Sequence, residues 1–173
     1  GLLLHSAIAL DEKRLAELQK LGDIEVVVIP SPDHQLDGAK YKKRFPNVKL
    51  VAPASIRDKV NGRSPLDATA EELLPEHGIQ CHTVDGLKPV ELMYEAKGKE
   101  GRVLLFNDAL FNVKHQPGFG GFALKMLGSS GRFGMTRVAR MLFLKDAKAY
   151  RAWLEKIADG GPIWARGGTH GNA

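Results

Sequence analysis

An α+β sandwich is the fold that this sequence predicts, and three observations carry the prediction. From Leu2 to Val51, runs of strand and helix character alternate, as βα units in a sheet with helices on its face do. From Ile79 to Asn107, three short β-rich runs follow one another, the last two joined by Lys97-Gly98-Lys99-Glu100-Gly101, whose glycines suit a hairpin. The 173 residues are 43% apolar, enough for a sizeable core in one domain spanning 1–173.

The elements follow in chain order. Leu2 to Leu4 read as a strand; Asp11 can then cap a helix carrying Leu15, Leu18 and Leu21 at helical spacing, with Gly22 as its stop. Ile24 to Ile29 is β-branched and almost continuously apolar, as a strand covered on both faces is. Gly38 to Phe45 is helical, with Asp37 placed to N-cap it and Pro46 to end it, and Val48 to Val51 form a third strand. A short helix is expected from Ser55 to Val60, and Thr69-Ala70-Glu71-Glu72 is a capping-box signature. Ile79–Val84, Val90–Ala96 and Arg102–Asn107 are the three antiparallel strands. Residues 114–134 are glycine-rich and irregular around a short apolar helix through Phe122 and Met126. Thr136 to Leu144 is helical, and Asp146 caps a last helix with Ala149, Tyr150, Trp153, Leu154 and Ile157 on one stripe. The ordered core then spans about 1–158, and 159–173 reads as a loose tail.

Bulk properties exclude several classes. A single cysteine, Cys81, rules out an internal disulfide and fits a reducing, cytoplasmic compartment. No apolar run approaches the ~20 residues that span a bilayer, so no membrane role is expected, and no basic signal-peptide region opens the chain. The chain opens directly in a strand, so strands that precede it in the natural protein are expected to be missing. Lys and Arg number 25 against 20 Asp and Glu, a net +5. The densest basic cluster, Lys40, Lys42, Lys43 and Arg44, suits the solvated face of a short helix. A nucleic-acid interface would need a longer stripe with stacking aromatics.

The stretch Ile24 to Gly38 delivers Asp33 and His34 into a loop after a buried strand, ahead of the helix ending Arg44-Phe45-Pro46. Later, Leu104-Leu105-Phe106-Asn107-Asp108-Ala109-Leu110-Phe111 ends a strand in a carboxylate. Together with the opening Leu2-Leu3-Leu4-His5-Ser6 and Thr83 to Pro89, these landmarks resemble, in order and spacing over about residues 1–158, the metallo-β-lactamase superfamily. They come closest to a divergent metallo-hydrolase/oxidoreductase-like branch. The resemblance implies a four-layer αββα sandwich, with a metal site at the strand ends. The family's His-x-His-x-Asp-His motif is depleted. Ile29 and Ser31, or Pro30 and Pro32 in the alternative alignment, stand where the first two histidines belong, and Leu87 replaces a later one. The last family histidine has only His170-Gly171 as a counterpart.

Candidate metal ligands are therefore Asp33, His34 and Asp108, with His34 and Asp108 as the catalytic pair. Three carboxylate-rich ligands suit one weakly held Zn, Mn or Mg ion and not a dinuclear zinc centre, which needs about twice as many. No organic cofactor is expected. Each residue also has a structural role open to it: Asp33 can close a turn, His34 can hold its loop, and His5 can be a strand-end histidine. Asp108 ends an apolar strand, where a carboxylate must be paired or coordinated. Asn107, Ser129, Ser130 and Arg132 are candidate ligand-binding residues. The last three lie in Gly128 to Gly134, an anion-loop candidate that is not a Walker loop and also suits a mobile cover.

Three functions follow. One is a metallo-β-lactamase-type domain with a degenerate site, binding a small polar ligand or one weak metal. Another is a mononuclear hydrolase of esters or thioesters. The third is a non-catalytic module whose glycine-rich loop and Lys40–Arg44 helix meet an anionic ligand or partner.

Overall fold

The computed structural model of the chain describes residues 1–34, 37–89, 91–112, 114–115, 117–126, 130 and 133–168. The side chains of residues 34, 111, 112, 124 and 165–168 lie outside that description. The chain is mixed α+β and forms two compact units, Gly1–His77 and Gly78–Ala173, each with its own sheet and apolar core.

In the first unit, β1 (Leu2–His5), α1 (Glu12–Gln19), β2 (Ile24–Val28), α2 (Gly38–Arg44), β3 (Lys49–Ala52), α3 (Arg57–Asn61), β4 (Ala68–Thr69) and α4 (Ala70–Leu73) follow in turn. The sheet runs β1-β2-β3-β4, every pair parallel. β2 is therefore interior, as its unbroken apolar run predicts, and Val26, Val27 and Val28 are all buried. Asp11 caps α1 by accepting from the Arg14 N–H at 2.8 Å. The Thr69 capping box forms in both directions, with Glu72 accepting from the Thr69 N–H at 2.8 Å. α2 lies close against β2 and β3. A Cβ added at Gly38 would stand 2.8 Å from Ile29 Cδ1 and 3.2 Å from Leu50 Cδ1, so a larger residue would press on both side chains.

One expected cap is corrected. Asp37 has helix-like dihedrals (φ −113°, ψ −5°) and makes no side-chain bond to the first turn of α2. Its carboxylate instead accepts from the Ala9 N–H at 2.7 Å and pairs with Lys40 at 2.6 Å, which ties the β1–α1 connection to α2. Lys40 and the Ala9 amide hold its pKa below the usual carboxylate value.

In the second unit, β5 (Ile79–Thr83), β6 (Leu92–Lys97) and β7 (Arg102–Phe106) form the expected antiparallel meander. β8 (Phe111–Asn112) and β9 (Phe133–Gly134) pair as a small ribbon enclosing α5 (Gly118–Met126), and α6 (Arg137–Phe143) and α7 (Ala147–Asp159) follow. α5 starts at Gly118, inside the stretch read as irregular. α7 buries Tyr150 and Trp153, which stack at 6.3 Å, and Phe106 meets Trp153 edge-on at 6.4 Å.

The tail is the second correction. Ile163–Gly168 forms β10, parallel to β7, giving the sheet order β10-β7-β6-β5. Its glycine-rich sequence carries little local strand signal, and the pairing comes from a strand some 60 residues earlier; local composition cannot report it. Residues 169–173, with His170 and Gly171, lie outside the described residues. No helix among the described residues is long and apolar enough to cross a membrane.

Candidate functional site

The loop after β2 leaves that strand through Ile29, whose N–H donates to Val51 O at 2.8 Å. Pro32–His34 then make a single 3₁₀ turn at the C-terminal end of β2, where open parallel sheets place their ligands. Ser31 is buried, and among the described residues its Oγ has no hydrogen-bond partner. Asp33 is exposed, and the His34 side chain lies outside the described residues. His5 ends β1 opposite Val28.

The basic cluster on α2 is largely occupied. Lys42 donates to Val48 O at 2.7 Å and pairs with Asp67 at 2.8 Å, Lys40 pairs with Asp37, and Arg44 makes a two-pronged pair with Glu12. A cavity of about 450 Å³ beside α2 is lined by Leu10, Leu15, Tyr41, Lys43 and these Lys40 and Arg44 side chains. Two of its three cations are therefore neutralised within the unit.

Asp108 belongs to the second unit. It follows β7, half-buried, and its Oδ2 accepts from Asn107 Nδ2 at 2.7 Å; Asn107 is fully buried. The deeply buried carboxylate is its neighbour Glu91, just ahead of β6. Glu91 accepts from the Asp108 N–H at 2.7 Å through Oε2 and from the Ala109 N–H at 2.8 Å through Oε1. Burial, and then the nearby Asp108 charge, push its pKa up to about 7, against the pull of the two N–H donors. Ala109 O in turn accepts from the Tyr150 hydroxyl at 3.2 Å. Burial first, then Glu91, raise the Tyr150 pKa. Glu91 was missed by sequence reasoning. The available signal was an acid within the apolar run Val90-Glu91-Leu92-Met93, where an unpaired charge is costly.

Tyr150 also lines a cavity of about 720 Å³, with Ser130, Phe133, Met135, Thr136, Arg137, Arg140 and Leu144. Ser130 is buried and its Oγ lies 3.0 Å from His115 Nδ1. Thr136 Oγ1 accepts from the Ala139 N–H at 3.0 Å and so starts α6. Arg137 and Arg140 follow on successive turns. Arg137 donates to Met126 O at 3.2 Å, and no carboxylate among the described residues pairs with either arginine. Of the glycine-rich candidates, Ser130 is in the cavity wall, while Ser129 and Arg132 lie outside the described residues.

The resemblance implies a metal held by side chains at the strand ends. Among the described residues no three His, Cys, Asp or Glu side chains come together. Asp108 accepts from Asn107, and both Glu91 oxygens accept from backbone N–H groups; a catalytic zinc takes about three protein ligands and keeps an open position. His82 faces Glu95 at 3.2 Å, which also meets Arg102, and His77 lies 3.9 Å from Glu25; each is a lone imidazole. The described donors do not fit a metal centre. No protein-family model matches the chain, and no curated protein matches it.

Proposed function

We propose that this chain is a binding domain for a small anionic ligand carrying a phosphate or carboxylate, taken in the cavity of the second unit. The observation that carries this reading is the pair Arg137 and Arg140 in the cavity wall without a carboxylate partner among the described residues. Guanidinium groups on adjacent helical turns can each make forked bonds to one anion, and Ser130, whose Oγ lies 3.0 Å from His115 Nδ1, supplies a hydroxyl in the same cavity wall. The order of β2, its loop, α2 and the Asp108 segment supports a metallo-β-lactamase-type frame with a depleted metal site. The single-metal hydrolase, with Asp33, His34 and Asp108 as its ligands, is the alternative reading.

Calorimetric titration with inorganic phosphate tests the proposal. Arg140→Gln should weaken binding at least about tenfold, the loss of one charge-assisted bond, at unchanged thermal stability. Equal affinity in the variant would reject the pocket. Stoichiometric metal in the purified protein, with esterase activity lost on His34→Ala, would replace it with the hydrolase.

A further inference from the structure

Seven of the ten exposed large apolar side chains among the described residues fall between positions 119 and 142. On α5, Phe119, Phe122 and Met126 are 88%, 60% and 63% exposed, and their i, i+3, i+7 spacing puts them on one face. On α6, Val138, Met141 and Leu142 share a second exposed face, with Met141 at 77%. The Arg137 bond to Met126 O joins the end of α5 to the start of α6, so the two faces belong to one neighbourhood.

Charge follows the same segment. Residues 109–145 contain six cations, Lys114, Lys125, Arg132, Arg137, Arg140 and Lys145, and no Asp or Glu. The rest of the chain holds 19 Lys and Arg against all 20 Asp and Glu. The net positive charge of the protein is therefore that of its most exposed apolar segment. An exposed apolar face carried by a segment rich in cations and without acids matches an interfacial helix on a negatively charged lipid surface.

We propose that the α5–α6 face of the second unit docks onto an anionic bilayer surface, its Phe, Met and Leu side chains entering the headgroup region and its lysines and arginines meeting lipid phosphates. A second copy of the chain is a poor occupant, because a two-fold contact would set this cation-rich segment against itself. Docking does not require the cavity to be filled, and Phe119, Phe122 and Met141 do not line it.

Vesicle flotation tests the proposal on the whole protein. With about 30 mol % phosphatidylglycerol in phosphatidylcholine, the protein should float with the vesicles, and with pure phosphatidylcholine it should not. Raising salt from about 0.1 to 1 M should release it. The triple variant Phe119→Ser, Phe122→Ser, Met141→Ser should lose at least about tenfold in partitioning, and Lys125→Gln about fivefold. Because these side chains are exposed, the variants should melt with the native protein, and the triple variant should still bind inorganic phosphate if the cavity is an anion site. No flotation, flotation on both lipids alike, or a dimer broken by the triple substitution would overturn the proposal, the last by giving the face to a second copy.

Discussion

At Glu91 a carboxylate is enclosed by protein, with two backbone N–H groups and the Asp108 side chain facing it, and burial outweighs the hydrogen bonds. Its pKa stands at about 7 in the folded chain against an ordinary 4.5. Between those values the native state holds the proton more tightly than the unfolded chain. The cost of ionising Glu91 is therefore absent below about pH 4.5, grows as pH rises, and is complete above about pH 7, at no more than ~3 kcal/mol. Glu91→Gln removes the titration but sets an amide against one of the two N–H donors, which costs about 1–2 kcal/mol. Urea unfolding should find the variant less stable than the native protein near pH 4 and more stable than it, by roughly 1–2 kcal/mol, near pH 8. Parallel pH profiles for the two proteins would show that Glu91 does not titrate in this window.

Among the elements, those with local causes could be read from the sequence. Asp11 and Asp146 cap their helices where expected, with Asp146 accepting from the N–H groups of Lys148 and Ala149. The Thr69 box depends on residues three apart, and the stripe of α7 on residues three and four apart. What escaped depends on distant partners. β8 and β9 are two residues each and exist only through their pairing, and β10 needs β7. Asp37 turned from its own helix toward Ala9, 28 residues away, and Glu91 found its amide donors 17 and 18 residues on. For the site, Ser130 was within reach of a glycine-rich pattern. Arg137 and Arg140 lie in the cavity wall, and nothing local in the sequence announces that wall.

One such long-range joint can be tested at Gly86. Its φ is +79°, and its carbonyl accepts from the N–H groups of Lys145 and Asp146, linking the β5–β6 connection to the start of α7. A Cβ there would lie 2.3 Å from Asp146 O and 2.5 Å from Tyr150 N, both backbone atoms that cannot move without shifting α7. Gly86→Ala should therefore cost about 3 kcal/mol or more, while Asp146→Ala, which removes only the cap, should cost about 1 kcal/mol. Thermal unfolding of both variants compares them. Equal losses would mean that the helix start, and not the close approach, is what holds this corner.

At the scale of the whole molecule, the second sheet depends on its last strand. β10 covers one edge of β7, and the Arg102 N–H donates to Pro162 O at 3.0 Å where the two strands begin to run together. β7 carries Leu104 and Phe106 into the core, so losing β10 would both free a row of backbone N–H and C=O groups and open the side of that core beside Ile163. A chain ending at Pro162 should therefore melt roughly 10 °C lower, about 3 kcal/mol, and self-associate in light scattering through the bare edge of β7. A chain ending at Gly168 keeps every paired residue of β10 and should melt within about 2 °C of the native protein as a separate control. If both truncations melt together and neither associates, β10 contributes nothing to the sheet. If only the shorter chain fails, the glycine-rich segment is a structural strand whose signal lies in its partner and not in its own residues.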